Sequence, residues 1–222
     1  MTATPWLRVP DGPTLRTVLG WCLLIDALFF PTYAAINWLT HRREDLLQLY
    51  LGAELAIPLV AGTVWVYLSM LVLFCLPIFT LPRERARGEA LSGILGLLTA
   101  AAIWLLLPAQ LGFERVLPVG YEAIYGVMFA LDAPHNLVPS LHIVFSTLVV
   151  LACGQHAPPL ARFALWVWLV GIAASTVLTH QHHLLDVVAG LLLAFACRAV
   201  VLRWSRRPKV AFLPLATGEG IG

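Results

Sequence analysis

Residues 160–203 read LARFALWVWLVGIAASTVLTHQHHLLDVVAGLLLAFACRAVVLR. The stretch holds two apolar runs, 160–179 and 184–203, joined by the polar turn 180–183. A helix needs roughly 20 mostly apolar residues to cross the hydrocarbon core of a bilayer, and each run has that length. The stretch therefore predicts two transmembrane helices that are connected at one membrane face.

Four more stretches toward the N-terminus have a similar composition. They are residues 17–39, 56–80, 90–110 and 137–154. Of the 222 residues, 60% are hydrophobic and 12% are charged, whereas a soluble domain averages about 25% charged residues. We therefore predict an all-α integral membrane protein, a bundle of about six transmembrane helices that forms a single membrane domain over residues 1–222.

The regions outside these six stretches carry further expectations. Residues 111–136 contain Tyr and Phe side chains suited to the headgroup region and predict a short interfacial helix. The tail at 205–222 is basic and then Gly-rich, and we expect it to be disordered. The N-terminus lacks the pattern of a cleavable signal peptide. A net charge of +2 with no long basic run argues against nucleic acid as a partner.

Lys and Arg residues in the short loops set the expected orientation, because such loops carry an excess of positive charge on the cytoplasmic side. If the N-terminus is cytoplasmic, that side holds eleven Lys and Arg residues and the other side holds three, namely Arg42, Arg43 and Arg115. We therefore predict that both termini are cytoplasmic. Residues 111–136 and the turn 180–183 then lie together on the non-cytoplasmic face.

Ionisable side chains that border membrane spans are costly and mark functional sites. His180, His182 and His183 open the sixth span, and Asp186 lies one turn inside it. His182 and Asp186 are four residues apart and share a helix face, so the carboxylate is placed to hold one ring nitrogen and leave the other for a substrate. His183 is three residues from Asp186 and also within reach, and spacing alone does not choose between the two. His180 and the histidine that is not chosen are candidates for a supporting role.

The fourth span opens on Pro139-Ser140-Leu141-His142. Proline and a capping serine are typical of a helix N-terminus, where free backbone N–H groups and a partial positive charge suit an anion. His142 on the first turn is able to give or take a proton. By the predicted topology this cluster and the cluster at 180–186 lie at the same membrane face.

Three residues between the third and fourth spans are further candidates. Arg115 is the only cation in 111–136 and suits bidentate pairing with a phosphate, although it also fits a snorkelling anchor at the end of the third span. Asp132 and Asn136 suit capping or bracing of the turn into residues 139–142.

Together, and in this order, these residues resemble the type 2 phosphatidic acid phosphatase superfamily. That family's pattern is a basic segment ending in Arg-Pro, then PSGH or PSLH, then Ser-Arg, five residues, His, three residues and Asp. The second part is residues 139–142 here, and the third is Ser175-Thr176, five residues, His182, three residues and Asp186.

The resemblance covers residues 108–190, the predicted active-site half, and extends to the six-span layout. The Leu of PSLH and the run THQHHLLDVVAG at 179–190 are most similar to the inositol phosphorylceramide synthase branch and its bacterial relatives.

The sequence departs from the family pattern at its basic positions. Gln110 stands where the usual Lys is expected, Thr176 takes the place of the Arg after Ser175, and Arg115 lacks the following Pro. Arg115 is then the main fixed charge left for a phosphate. His180 and the turn at 135–142 are the remaining candidate sources of positive charge.

The resemblance implies a mechanism that uses no metal and no cofactor. His182 attacks phosphorus and forms a phosphohistidine, Asp186 orients its imidazole, and His142 protonates the leaving oxygen. The implied phosphate-binding groups are Ser140, Arg115 and backbone N–H groups near Leu141.

The implied substrate is a lipid or lipid-linked phosphate, and the implied location is a bacterial inner membrane with the site on the non-cytoplasmic face. Hydrolysis and transfer to a lipid acceptor both fit. Two alternatives stay open. His180-x-His182-His183 is similar to a His box of membrane desaturases and hydroxylases, which are metal enzymes. The missing cations also fit a family member that has lost catalysis and serves as a carrier or binding protein.

Overall fold

The computed structural model of the protein describes residues 6–132 and 134–205. Those residues contain no β-strand, and they form eight α-helices, which confirms the predicted all-α fold: α1 (Gly12–Thr40), α2 (Val64–Leu68), α3 (Met70–Thr80), α4 (Arg83–Leu106), α5 (Glu122–Leu131), α6 (Leu141–Gly154), α7 (Pro159–Leu178) and α8 (Leu184–Ser205). Two short 3-10 helices precede α2, at Gly52–Ala56 and Ala61–Thr63. The predicted disordered tail at 205–222 lies outside the described residues, apart from Ser205.

Five segments are long and apolar enough to cross a membrane, namely α1, Ala61–Thr80 (which contains α2 and α3), α4, α7 and α8. The sixth predicted span corresponds to α6, which is apolar but has only 14 residues. Large apolar side chains are exposed on the outward faces of these helices, among them Leu23, Phe30, Val72, Val170 and Leu192. Apolar surface of this extent is typical of contact with lipid, so the fold is that of a membrane bundle.

Two helices begin earlier than their apolar runs predicted, because polar residues form their first turns. α1 begins at Gly12 rather than at 17, since Asp11 caps it and accepts a hydrogen bond from the Thr14 N–H at 2.8 Å. α4 begins at Arg83 rather than at 90. Its first two turns carry charged side chains, so a search for apolar residues does not predict them as part of the helix.

The predicted span at 56–80 starts later and is interrupted. Helical structure begins at Ala61 and breaks at Ser69, between α2 and α3. The Ser69 hydroxyl accepts a hydrogen bond from Trp168 Nε1 at 2.7 Å, so a side chain of α7 holds the break. Residues 41–60 form a loop at the end of the bundle where α8 begins.

The short helix α6 lies at the centre of the bundle and contacts α3, α4, α7 and α8. At 1.5 Å per residue its length is about 21 Å, which is less than the hydrocarbon core of about 30 Å. It begins at Leu141 rather than at the predicted 137, and the non-helical residues 137–140 are buried in protein. Non-helical backbone is tolerated at membrane depth where protein covers it. The start of α6 thus lies inside the bundle and not at its rim.

Arginines gather at the opposite end of the bundle. Glu89 on α4 accepts hydrogen bonds from Arg85 at 3.0 Å and from Arg198 at 2.8 Å. Arg162 on α7 donates to the Gly154 carbonyl at 3.1 Å, at the C-terminus of α6. This end holds arginines that the charge count assigned to the cytoplasm. The arginines assigned to the other side, Arg42, Arg43 and Arg115, lie toward the start of α6 and the C-terminal ends of α1 and α4.

Candidate active site

Two histidines and an aspartate form a hydrogen-bonded row where α6 and α8 begin. His182 Nδ1 lies 3.0 Å from Asp186 Oδ2, and His182 Nε2 lies 3.1 Å from His142 Nδ1. His182 and Asp186 are buried, with 2% and 1% of their surface exposed. His182 and Asp186 thus meet, although His182 lies before α8, which begins at Leu184, and α6 supplies the second ring.

His183, which spacing also allowed as the partner of Asp186, turns its ring to other groups. Its contacts with Asp186 are made by its backbone: the N–H donates to Oδ2 at 2.9 Å, and the carbonyl accepts the Asp186 N–H at 3.1 Å. Its ring Nδ1 lies 3.3 Å from Glu54 Oε2, and its Nε2 accepts the backbone N–H of Gly112 at 3.1 Å. Because a backbone N–H only donates, Nδ1 must carry the proton and donate it to Glu54. The ring that contacts Asp186 is therefore that of His182.

Glu54 is a residue of this region that the sequence reasoning missed. Only 4% of it is exposed, and its carboxylate also accepts the backbone N–H groups of Leu184 at 2.8 Å and Leu51 at 3.0 Å. Burial by itself raises the pKa of Glu54, but these donors and the nearby His183 lower it, and the net pKa lies below its ordinary value. The available signal was an acidic residue at the edge of the predicted span 56–80.

Four aromatic and imidazole rings, among them the ring of His183, stack next to Glu54. Phe113 lies against both His180 and His183, with ring centroids 4.0 Å and 4.4 Å away. Tyr50 also stacks on His183, at 4.4 Å. Gly112 packs under Tyr50, where an added Cβ would lie 2.3 Å from the ring. The stack thus joins the loop 41–60, the loop after α4 and the turn before α8.

The surroundings of His180, which the sequence left open as a source of positive charge, favour the neutral form of its ring. Burial lowers the pKa of its imidazole below the ordinary value of 6.5, so the ring is neutral near pH 7. Its Nε2 lies 3.0 Å from the Ile57 carbonyl, to which it donates a hydrogen bond. The backbone φ of His180 is 58°, a left-handed conformation that turns the chain sharply from α7 toward His182.

Tyr67 on α2 is a second residue that the sequence reasoning missed. Its hydroxyl lies 2.9 Å from His142 Nε2, the ring nitrogen that does not face His182. Tyr67 is 3% exposed, and a buried tyrosine hydroxyl usually requires a hydrogen-bond partner. No spacing or motif distinguishes it within the apolar run 56–80, so the sequence carried no signal for this contact.

Ser140 occupies the predicted N-cap position of α6, but its side chain makes no capping hydrogen bond. Among the described residues its buried hydroxyl has no hydrogen-bond partner. Its backbone N–H instead donates to the Asp186 carbonyl at 3.1 Å. Gly190 permits this close approach of α8, since an added Cβ would lie 2.8 Å from the Ser140 carbonyl oxygen. The first-turn N–H groups of Leu141 and His142 have no acceptor within the helix.

Asp132 and Asn136 brace the segment before α6 against α1. The Tyr33 hydroxyl donates to Asp132, and Asn136 Nδ2 donates to the Tyr33 carbonyl at 3.2 Å. The predicted bracing therefore acts between helices. Within the described part of the chain neither side chain caps the turn at 139–142.

Arg115 lies in the loop between α4 and α5 and packs against Phe129. Its guanidinium sits 4.8 Å from the centroid of the Phe129 ring, and Nη1 donates to the Phe129 carbonyl at 3.3 Å. Its Nε is buried and finds no acceptor among the residues that the structure describes. Burial lowers the pKa of Arg115 from its ordinary value of 12.5, while the charge of Asp132 raises it. Arg115 stays protonated and has donors available for an anion.

The two positions where the family pattern has other cations support the backbone instead. The Gln110 N–H donates to the Leu47 carbonyl at 3.1 Å, which ties the loop after α4 to the loop 41–60. The Thr176 carbonyl accepts the N–H groups of Gln181 and His182, both at 3.0 Å. Neither position contributes positive charge.

Asp132, His142 and His182 each place one possible metal-ligand atom within 4.8 Å of the other two. Imidazole and carboxylate together suit several transition metals. The rings of His180 and His183 are held by other groups, so the His box at 180–183 does not converge on one position.

Comparison with known proteins identifies one family. A family model described as the PAP2 superfamily matches residues 93–209, more than half of the chain, including His142, His182 and Asp186. No curated protein and no solved structure matches the chain.

Proposed function

This chain belongs to the PAP2 superfamily, and from that premise we propose that it is a membrane phosphatase or phosphotransferase that acts on a lipid-linked phosphate. The observation that carries the proposal is the row formed by Asp186, His182 and His142. In that row one nitrogen of His182 is bound to a carboxylate and the other faces a second imidazole. This arrangement suits His182 as a nucleophile, Asp186 as the carboxylate that orients its ring, and His142 as the proton donor.

In the proposed reaction a phosphoryl group displaces the contact between the two rings. His182 Nε2 forms a bond to phosphorus while the bond to the leaving oxygen breaks, and His142, which is doubly protonated at this stage, gives that oxygen its Nδ1 proton. Asp186 accepts the Nδ1–H of His182 and stabilises the positive charge on the phosphorylated imidazole. Water that is deprotonated by His142, or a lipid alcohol, then takes the phosphoryl group and frees His182.

Three groups around the row are suited to hold the phosphoryl oxygens. The start of α6 offers backbone N–H groups at Leu141 and His142. The Ser140 hydroxyl is buried without a partner, and Arg115 has an unpaired Nε, each among the described residues. Fixed donors of this kind stabilise the charge that develops during phosphoryl transfer.

The lipid nature of the substrate is supported by the position of the site. The row lies at the start of the short helix α6, inside a bundle whose outer surface is apolar. The similarity of PSLH and of residues 179–190 to the inositol phosphorylceramide synthase branch favours a phospholipid headgroup as the transferred or released group. We propose a bacterial inner membrane as the location.

The orientation proposed from the charge count puts this site on the non-cytoplasmic face. The test is cysteine labelling from outside intact cells. A cysteine at Gly120, in the loop before α5, should react, and one at Gly88, near the start of α4, should be shielded. The reverse pattern would invert the topology.

The proposed function is tested with purified protein and a total lipid extract, by following free phosphate and new phospholipid together. We expect one of the two products, its loss in His142→Ala, and no effect of strong chelators. Absence of both products would support the alternative of a member that has lost catalysis.

A metal-dependent enzyme is the second candidate, favoured by the ligand atoms of Asp132, His142 and His182. Loss of activity with chelator and recovery with one added transition metal would establish it in place of the phosphohistidine mechanism.

A further inference from the structure

The hydrogen-bonded row extends beyond the three residues of the family pattern to Tyr67. Its hydroxyl lies 2.9 Å from His142 Nε2, on the far side of the ring from His182. Tyr67 is in α2, distant in sequence from both motifs, and packs in the same apolar cluster as Tyr125 and Ile143. The row therefore runs through four side chains from α8 to α2.

The chemistry of each partner fixes the direction of these hydrogen bonds. The Asp186 carboxylate only accepts, so His182 Nδ1 carries a proton and its Nε2 holds a lone pair. That lone pair must accept from His142 Nδ1–H, which leaves the His142 Nε2 as an acceptor for the Tyr67 hydroxyl. With all three rings neutral, both nitrogens of each imidazole and the Tyr67 hydroxyl are paired. The nucleophilic lone pair of His182 and the proton-bearing nitrogen of His142 face each other.

The proposed reaction changes the protonation state of His142. In each state its Nε2 requires a hydrogen-bond partner, because the site is buried. When His142 carries protons on both nitrogens, ready to protonate the leaving oxygen from Nδ1, its Nε2–H requires an acceptor. A tyrosine hydroxyl donates or accepts by rotating about its C–O bond. In a buried site an unpaired N–H is unfavourable, so a phenyl ring in place of Tyr67 would favour rotation of the imidazole or loss of its proton.

We propose that Tyr67 is a positioning residue for the general acid. It acts through His142, keeping Nδ1 directed at the phosphoryl group and pairing Nε2 in both protonation states. The proposal rests on the proposed phosphoryl transfer. A residue that positions His142 should affect the rate when the leaving oxygen needs a proton. It should affect the rate little when the leaving group departs without one.

The test compares Tyr67→Phe with the matched control Tyr125→Phe on two substrates. Tyr125 is buried in the same cluster, but its hydroxyl donates to the Ala61 carbonyl at 3.3 Å and forms no hydrogen bond with a histidine among the described residues. With phosphatidic acid, whose leaving group is an alkoxide, we expect Tyr67→Phe to lower kcat by about tenfold or more. With p-nitrophenyl phosphate, whose leaving group needs no proton, we expect a loss within about twofold. KM and the thermal unfolding midpoint should match those of the control.

The outcomes separate the two proposals. Equal losses on both substrates, or a Tyr67→Phe enzyme as active as Tyr125→Phe on phosphatidic acid, would overturn the role of Tyr67 while the proposed function stands. A wild-type protein that cleaves neither substrate, and that forms neither free phosphate nor new phospholipid from the lipid extract, would refute the proposed function and with it the role of Tyr67. If Tyr67→Phe fails to fold, the ¹⁵N shifts of the His142 ring in the wild-type protein decide. A proton on Nδ1 and a hydrogen-bonded Nε2 support the proposal, and a proton on Nε2 alone in the resting protein contradicts it.

Discussion

Two imidazole–carboxylate pairs lie side by side at the start of α8, and they differ in what the second ring nitrogen meets. His182 pairs with Asp186 and directs its other nitrogen to His142. His183 pairs with Glu54, and its other nitrogen accepts the backbone N–H of Gly112. Both pairs are buried and both are within hydrogen-bond distance. Burial and a carboxylate partner therefore do not by themselves indicate a catalytic histidine, because the ring nitrogen that does not contact the carboxylate must also be able to face a reacting group.

The second pair has a supporting task that follows from its contacts. Glu54 accepts hydrogen bonds from its own loop and from the first N–H of α8. The His183 ring stacks against Tyr50 and Phe113, from two different loops. The backbone N–H of His183 also donates to Asp186 Oδ2, so His183 helps to hold the carboxylate that pairs with His182.

The largest effect is expected from Asp186→Asn. The substitution is nearly isosteric and keeps the fold, but it removes the charge that supports the imidazolium of His182. A comparable change in a serine-protease triad lowers kcat by about 10⁴-fold, and we expect a loss on the order of 10²–10⁴-fold here. Steady-state turnover and circular dichroism check the two halves of this prediction. Turnover within a factor of a few of wild type would remove the distinction between the two pairs.

A smaller loss is expected from Arg115→Ala, because Gln110 and Thr176 provide no charge and Arg115 is the main cation suited to the phosphate. Removing a charge-assisted hydrogen bond to a buried anion costs about 1.5–3 kcal/mol, which corresponds to a loss of at least about tenfold in turnover. Arg42→Ala is the control, since Arg42 is exposed at the same end and lies over Trp38. Equal rates for the two variants would make Arg115 an anchor only.

His183→Ala should act on stability more than on chemistry. It removes one of the donors to the buried Glu54 carboxylate and a ring from the stack, and a hydrogen bond to a charged group contributes about 1.5–3 kcal/mol. We expect a lower thermal midpoint in detergent and reduced turnover, while His156→Ala, at an exposed position, should leave both unchanged. A variant as stable as wild type would argue that the second pair does not hold these loops.

The smallest effect is the dependence of stability on pH. Burial lowers the pKa of His183 from 6.5, and the net pKa of Glu54 lies below 4.5. In each case the unfolded chain binds the proton more readily, so both contributions are fully present above the ordinary pKa and are lost as pH falls through the folded pKa. The free energy of unfolding should therefore decrease below about pH 6.5, and less steeply below about 4.5 in Glu54→Gln than in wild type. Parallel curves for the two proteins would contradict this assignment.

The pair formed by His182 and Asp186 was largely predictable, because the residues that indicate it are close together in the sequence. The sequence shows a carboxylate four residues after His182, and the apolar runs predicted which helix starts share an end of the bundle. Helix periodicity is not the cause of the contact, because His182 lies before α8 begins at Leu184. The choice between His182 and His183 came only from the resemblance. The structure makes the same pairing because the turn after His180 directs the two rings to different sides.

The parts that the sequence did not predict depend on contacts between distant segments. Glu54 meets His183 through the fold of the loop 41–60, and Tyr67 meets His142 across the bundle. Ser140 lies at the predicted N-cap of α6, but its side chain makes no capping hydrogen bond to the described residues. Close packing against Gly190 instead gives its backbone N–H a partner on α8. No periodicity encodes such contacts, since they follow from how the helices pack.

The identity of the nucleophile is tested by trapping the acid-labile phosphoenzyme with labelled substrate in wild type, His182→Ala and His183→Ala. We expect label on the wild type and on His183→Ala, and none on His182→Ala, because the ring of His182 has a nitrogen that faces His142, whereas both ring nitrogens of His183 pair with other groups. Label at wild-type levels on His182→Ala, or its loss from a folded His183→Ala, would show that His182 is not the nucleophile.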